Sequence, residues 1–221
     1  MVRLLFAALL ALVPLAAHAQ SEPQTLVDRA TLTVQDMLGA DSGKDARNLA
    51  QRAKAVLVCP RIFKAGFIIG GEGGDCVLTS RAAGGWSSPA FYDIGSGSIG
   101  LQIGVQDSEL VFLVLTERGF QAILDSQFKI GADASIAVAT IGAGLEGDTT
   151  TALRADIVAF AKSRGLFAGV SLQGSIISSK SDWNQSYYGR SLAATQIVNQ
   201  GAGNNPGAAP LREVLTRYSG G

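Results

Sequence analysis

Residues 95–105 read Gly-Ser-Gly-Ser-Ile-Gly-Leu-Gln-Ile-Gly-Val. The first six match the G-x-G-x-x-G pattern of dinucleotide-binding loops, which requires that a helix follow the motif. The residues that follow, Leu101 to Val105, instead show the alternation of a β-strand. No repeated strand–helix–strand pattern surrounds the motif. We therefore interpret these glycines as structural, and we expect no cofactor.

Short apolar runs separated by Gly, Pro and Ser continue on both sides of this stretch. They cover residues 56–58, 67–69, 77–78, 91–92, 99–105, 110–115, 128–141, 153–160, 166–172 and 176–179. Such runs between turn signals are typical of a largely antiparallel sheet. Many of the 27 glycines interrupt these runs, and glycine within a strand marks a bulge or a bend. The sequence therefore predicts a strongly curved, barrel-like sheet.

Helical periodicity is concentrated towards the two ends of the chain. The predicted helices cover residues 25–38, 44–54, 117–126, parts of 181–198, and 211–218. In the first of them, Leu32 falls outside the apolar stripe. The fold class that follows is α+β, with a curved, mostly antiparallel sheet flanked by N-terminal and C-terminal helices. We assign residues 20–200 to one domain and residues 201–221 to a Gly/Pro linker with a short helix.

The first 19 residues have the pattern of a secretory signal. Arg3 precedes an apolar run from Leu4 to Leu15, and Ala17-His18-Ala19 matches a cleavage site. The apolar run is shorter than the 20 or so residues of a membrane-spanning helix. We therefore expect cleavage after Ala19 and a periplasmic or secreted protein.

Histidine narrows the range of functions. The only histidine is His18, which the predicted cleavage removes. The mature chain would then lack a Ser-His-Asp or Cys-His system and every His-ligated metal site. We therefore predict that the protein is not an enzyme and that it has neither catalytic nor metal-binding residues.

The two cysteines are Cys59 and Cys76. In an oxidising compartment such a pair usually forms a disulfide. Two buried free thiols are the alternative.

Charge is balanced overall but not locally. Eighteen basic and 18 acidic residues give no global field that would recruit nucleic acid. Between Asp41 and Lys64, however, six basic residues face only Asp41 and Asp45. The six are Lys44, Arg47, Arg52, Lys54, Arg61 and Lys64. Such a cluster beside an amphipathic helix suits an anionic membrane surface, and a solvated helix face is the alternative.

Carboxylates offer a weaker route to catalysis or to cation binding. A carboxylate pair for glycoside chemistry could come from Glu72, Asp75, Asp93, Asp107 and Glu109. Substitution of Asp93 and Asp133 would test a hydrolase that uses carboxylates alone. Glu146 and Asp148 could hold Ca²⁺, but they lack the EF-hand spacing. Charged turns are the simpler interpretation in both cases.

Six ordered blocks of sequence resemble one known family. They are residues 64–67 with 70–74, then 85–89, 100–104, 130–135, 163–172 and 182–189. Together they resemble the SYLF domain, also called the Ysc-type actin-binding domain. The bacterial members that this chain resembles are secreted single-domain proteins.

The resemblance implies a lipid-binding module. Eukaryotic members bind phosphoinositides through a basic N-terminal segment, and some yeast members bind actin. Here the segment before Lys44 is not basic, because Asp28 and Asp36 offset Arg29. Anionic lipids such as phosphatidylglycerol or cardiolipin are therefore the expected ligands, and actin is an improbable partner in a periplasm.

The resulting hypothesis is a periplasmic, membrane-peripheral protein that contacts phospholipid head groups through the six basic residues. Trp86, Trp183 and Tyr187 are either interfacial or core aromatics. The alternative is a non-enzymatic envelope module with a protein partner. Neither hypothesis includes nucleic acid.

Overall fold

The computed structural model describes residues 21–66, 69–99, 104–125, 127–141, 154–165 and 172–220. The predicted signal segment 1–19 lies outside these ranges. So do residues 67–68, 100–103 and 166–171 of the predicted strands, and the acidic loop 146–148.

Six helices and nine strands are found in the described ranges. The helices are α1 (Glu22–Gly39), α2 (Lys44–Ala50), α3 (Glu117–Leu124), α4 (Ser181–Tyr188), α5 (Ala194–Val198) and α6 (Ala209–Ser219). The strands are β1 (Ala55–Gly66), β2 (Ile69–Ala82), β3 (Gly85–Trp86), β4 (Ala90–Ile99), β5 (Gly104–Val114), β6 (Gln127–Lys129), β7 (Ile136–Thr140), β8 (Ile157–Gly165) and β9 (Ile176–Ser179).

The strands form one sheet in the order β6-β9-β4-β2-β1-β5-β8-β7, and β3 pairs with β2. Every pairing is antiparallel except that of β7 with β8. The sheet curls into a half-barrel. The predicted α+β class, with a curved, mostly antiparallel sheet between terminal helices, is confirmed.

Both faces of the sheet are buried along the first half of β1. Along β1, Ala55, Leu57 and Cys59 pack into one core with α3 and α5, while Val56 and Val58 pack into another with α1, α2 and α6. We call these the inner face and the helix face. Successive side chains point to opposite faces, so a continuous apolar run is the expected pattern for a strand buried on both sides.

A bulge interrupts β1 after Cys59. Cys59 pairs with Leu110 of β5, but the next pairing joins Ile62 to Ser108, so β1 contains one extra residue. Pro60 lies within the bulge, which is where a central strand tolerates a residue without an N–H donor. Because of the extra residue, Arg61 faces the helix face and Lys64 faces the inner face.

Helix α1 lies across the helix face. The Ser21 side chain caps it by accepting a hydrogen bond from the Gln24 N–H. Leu26, Val34 and Leu38 are buried against the sheet, whereas Leu32 is 63% exposed. The residue that departs from the apolar stripe in the sequence is thus the one that the fold leaves in solvent.

Two predicted elements differ from the structure. The helix predicted over 44–54 ends at Ala50, because Lys54 joins the sheet hydrogen bonding: its N–H donates to the Val114 carbonyl and its carbonyl accepts from the Arg81 N–H. The strand predicted over 128–141 is divided into β6 and β7. Gly131 has φ +84° between them, a backbone conformation that favours glycine and ends the strand.

Candidate functional site

The six basic residues predicted as a site do not form one patch. Lys44, Arg47, Arg52 and Lys54 lie on α2 and before β1, whereas Arg61 and Lys64 lie near the far end of β1. At about 3.3 Å per residue, Lys54 and Lys64 are roughly 30 Å apart along the strand.

Arg47 has a structural partner. Its Nη1 donates to the carbonyl oxygens of Leu38 at 2.5 Å and Ala40 at 2.6 Å, at the C-terminal end of α1. A cation is favourable there because the last carbonyls of a helix carry partial negative charge. These partners are carbonyls, and Arg47 forms no ion pair with a carboxylate of the described residues.

Arg81 performs the same role nearby. Its guanidinium donates to the carbonyls of Ala50 at 3.1 Å, Ser219 at 3.2 Å and Gly220 at 2.8 Å. It also lies 4.7 Å from the centroid of the Trp86 ring. Arg81 thereby joins the C-terminal ends of α2 and α6, and the last turn of α6 carries Arg217.

We call the resulting surface the basic end. It consists of Lys44, Arg47, Arg52, Lys54, Arg81 and Arg217. Lys44, Arg52 and Arg217 are exposed, and none of the three forms an ion pair with another residue of the described ranges. Lys54 pairs with Glu117 at 3.4 Å, with 47% of its side chain exposed. Hydrogen bonds from Gln121 and Lys54 lower the pKa of Glu117.

Arg61 and Lys64 lie away from the basic end and face opposite sides of the sheet. Arg61 forms a 2.7 Å ion pair with Asp107 on the helix face. Lys64 pairs in register with Glu72 and Gln106, and the Gln106 side chain is buried on the inner face. The one sequence signal of the bulge that separates these two cations is Pro60, since proline inside a central strand is confined to bulges.

The three aromatic residues belong to the interior. Trp86 is buried and donates from Nε1 to the Ser219 hydroxyl at 3.2 Å. Tyr187 is buried, with its ring 5.0 Å from that of Phe91, and burial is the main cause that raises its pKa. Trp183 is half-buried beneath the Lys180 ammonium, 3.4 Å from the ring centroid. The core interpretation of these residues is the one that the packing supports.

Cys59 and Cys76 form a disulfide between β1 and β2, with their Cα atoms 4.1 Å apart. Both cysteines are fully buried on the inner face. The predicted bridge is confirmed, and it lies directly before the bulge.

Of the carboxylates considered for catalysis, Asp75 and Asp93 are cross-strand neighbours on β2 and β4, and Asp75 forms a 2.7 Å ion pair with Lys180. Asp133 follows β6 and accepts a hydrogen bond from the Lys129 N–H at 2.6 Å. Across the described ranges, no three His, Cys, Asp or Glu side chains form a group that could hold a metal ion. Among the helices described above, none is both long and apolar enough to span a bilayer.

Sequence reasoning missed Arg81 and Arg217 at the basic end. Both are remote from residues 44–54 along the chain and reach this surface only through the packing of β2 and α6. A basic residue in the last turn of a predicted helix was the one available signal, and it applies to Arg217.

Comparison with known proteins gives a family match over residues 95–218, to the model described as Ysc84, the Las17-binding protein actin regulator. The chain is 35% identical over 161 residues to "SH3 domain-containing YSC84-like protein 1" of Xenopus laevis, covering 72% of this chain and 48% of that protein.

Two yeast proteins are also similar. "Protein YSC84" of Saccharomyces cerevisiae is 27% identical over 207 residues, which covers 92% of this chain and 44% of the relative. "LAS seventeen-binding protein 3" is 28% identical over 172 residues, 76% of this chain and 37% of the relative. The chain therefore spans about half the length, or less, of these curated relatives.

Proposed function

Because this chain belongs to the Ysc84 (SYLF) family of binding domains, we propose that it is a non-enzymatic lipid-binding protein of the cell envelope. It contacts anionic phospholipid head groups, such as those of phosphatidylglycerol or cardiolipin, from the periplasmic or extracellular side. Cleavage after Ala19 delivers it there, and it remains peripheral to the membrane.

One observation carries the proposal. Lys44, Arg52 and Arg217 are exposed at one end of the molecule without carboxylate partners among the described residues. Arg47 and Arg81 stand beside them and are held by carbonyls rather than by carboxylates. Each cation near an anionic surface contributes about 1 kcal/mol of binding free energy. The contributions of several cations at the basic end therefore add together.

The test is co-sedimentation with vesicles of phosphatidylglycerol and phosphatidylcholine, compared with vesicles of phosphatidylcholine alone. We expect binding to require the anionic lipid and to weaken with salt. The double variant Lys44→Gln/Arg52→Gln should bind about 30-fold more weakly, from roughly 1 kcal/mol for each charge removed.

Lys64→Gln/Lys129→Gln is the matched control, because it removes the same charge from β1 and β6, outside the basic end. It should bind within about twofold of the wild type, since a surface charge remote from the contact is screened. If the control weakens binding and Lys44→Gln/Arg52→Gln does not, the contact surface is wrongly placed. Salt-independent binding without lipid preference would contradict the mechanism.

The second candidate function is an envelope interaction module with a protein partner. The family description, Las17-binding protein actin regulator, and the name of one yeast relative, LAS seventeen-binding protein 3, favour it. This function would be favoured over lipid binding by two results together. The protein would capture a specific envelope protein, and a surface substitution would abolish that capture, while no binding to vesicles is detected.

A further inference from the structure

A groove runs between α1 and the far half of β1 on the helix face. It consists of two adjoining cavities of about 400 and 450 Å³, which share Arg29, Pro60 and Arg61 in their linings. The first cavity extends to Arg164 of β8 and the second to Gly73 of β2. These strands are three sheet spacings apart, so the groove is about 14 Å long. We call it the α1 groove.

Arg29 is the cation that the groove leaves without a partner. Asp36 pairs with Lys162, Asp107 with Arg61 at 2.7 Å, and Glu109 with Arg164 at 3.9 Å. Asp75, which lines the second cavity, pairs with Lys180 at 2.7 Å. Arg29 is exposed, lines both cavities and forms no ion pair with any residue of the described ranges. An unpaired guanidinium in a concave site is suited to a phosphate or a carboxylate.

Apolar side chains border this guanidinium on both walls. Leu26 and Leu32 lie three residues before and after Arg29 on α1, so all three line the same side of the helix. Phe63 rises from β1 on the opposite wall. Leu32 is 63% exposed and Phe63 is 45% exposed. Two large apolar side chains left in water on either side of one groove are typical of a binding surface.

The floor of the groove continues onto bare backbone. Gly71, Gly73, Gly95 and Gly97 all face the helix face, and they pair in register as Gly73 with Gly95 and Gly71 with Gly97. A Cβ atom added at the first three would come no closer than 3.5 Å to its nearest neighbour, and one at Gly97 would meet no atom within 4 Å. Internal packing therefore does not require glycine at these positions.

Glycine in a strand nevertheless has a cost of about 0.5–1 kcal/mol relative to alanine. Four such residues on one exposed face mark a place that a ligand approaches closely. The floor and Phe63 together cover roughly 200 Å² on three strands, far below the roughly 800 Å² per partner of a stable protein interface. The area suits one small ligand rather than a second copy of the chain.

We propose that the α1 groove binds a single-chain anionic lipid, with its phosphate at Arg29 and its acyl chain over Phe63 and the glycine floor. This site is separate from the basic end and takes one lipid molecule rather than a bilayer surface. The unpaired cation and the adjoining apolar trough match the two halves of such an amphiphile.

The test is calorimetric titration of the mature chain with lysophosphatidylglycerols of eight to twelve acyl carbons, below their micelle concentrations. Affinity should rise about fourfold for each methylene added, from roughly 0.8 kcal/mol per buried CH₂. Arg29→Gln should weaken lysophosphatidylglycerol at least tenfold, since a hydrogen bond to a charged group contributes about 1.5–3 kcal/mol. It should leave a neutral monoacylglycerol of the same length unaffected.

Gly73→Val/Gly95→Val fills the floor and should abolish the dependence on chain length. Its thermal unfolding should occur close to that of the wild type, because valine favours strands and the added Cβ atoms meet no neighbour closer than 3.5 Å. Gly84→Ala is the control, since its added Cβ meets no atom within 4 Å and lies outside the groove. It should bind like the wild type.

Two results would overturn the proposal. One is affinity that is independent of chain length or unchanged in Arg29→Gln and in the floor variant. The other is loss of lysophosphatidylglycerol binding in Lys44→Gln/Arg52→Gln, which would assign the ligand to the basic end. If that variant still binds lysophosphatidylglycerol in the titration but no longer binds vesicles, the α1 groove and the basic end are two separate sites.

Discussion

Gly74 lies directly against the carbonyl oxygen of Arg61. A Cβ atom at Gly74 would be 2.1 Å from that oxygen and 2.8 Å from Cδ1 of Ile62. The bulge in β1 therefore occupies the space that a side chain on β2 would fill. Glycine at this position and the extra residue opposite it form one structural unit.

Gly74→Ala should destabilise the protein, because the atom in the way belongs to the backbone of a central strand. We expect a loss of about 1–3 kcal/mol of unfolding free energy, the usual cost of overpacking. Gly73→Ala should raise the free energy of unfolding by up to about 1 kcal/mol, since its added Cβ would be 3.5 Å from the nearest atom. Urea unfolding of the two neighbouring variants measures the contrast, and equal stabilities would contradict it.

The disulfide should contribute to stability by restricting the unfolded chain. A loop closed by residues 17 apart in sequence corresponds to about 3 kcal/mol. Thermal unfolding of Cys59→Ala/Cys76→Ala should therefore occur about 6–12 °C lower than that of the wild type. Because both cysteines are fully buried, reductant should lower the transition of the wild type only when it is present during unfolding. Rapid reduction of the native protein would contradict this burial.

Asp156 joins the start of α3 to β7 and β8. Its carboxylate accepts hydrogen bonds from the Thr116 hydroxyl at 2.7 Å and from the Ser135 N–H and hydroxyl at 3.0 and 2.8 Å. Burial by itself raises the pKa of Asp156, but these hydrogen bonds and the Arg118 charge outweigh burial and hold the pKa below its ordinary value.

A lowered pKa in the folded state gives stability that is present above the unfolded pKa, about 3.9, and is lost as pH falls through the folded value. Asp156→Asn should therefore be less stable than the wild type at neutral pH, by about 1.5–3 kcal/mol. The difference should shrink as the solution is acidified below about pH 4. Urea midpoints between pH 7 and 2 test this, and a difference that does not change with pH would refute the assignment.

Arg81 should hold the C-terminal helix in place. Arg81→Met removes the donors to the Ala50, Ser219 and Gly220 carbonyls. Some of these carbonyl oxygens would then be buried without a hydrogen-bond donor. We expect a loss of about 2–4 kcal/mol from several hydrogen bonds to a charged group and faster hydrogen exchange in α6 than in β1. Arg81→Lys keeps the charge but not the planar set of donors, so it should recover only part of the loss.

The fold class was predictable because each core strand carries its own pattern. Val56, Leu57 and Val58 are all apolar since the sheet is buried on both faces, and frequent glycines indicate curvature. The position of the cations was not predictable in the same way. Regular alternation from Cys59 would put Arg61 on the inner face, and only the bulge, which depends on Gly74 of another strand, reverses that. Arg81 reaches the basic end through pairing between distant segments, which local sequence does not encode.

The two cores cover only the first half of β1. This has a consequence for the local unfolding of the sheet. Amides of Val56 and Val58 sit between two layers of packed side chains and can exchange with solvent only when the whole domain unfolds. Those of Lys64 and Ala65 lie on the same strand but pair with Glu72 and Gly71 of β2, where there is little apolar surface to release. A single continuous strand should therefore show a gradient of protection along its length, and thermal fraying should start at the end that carries the groove.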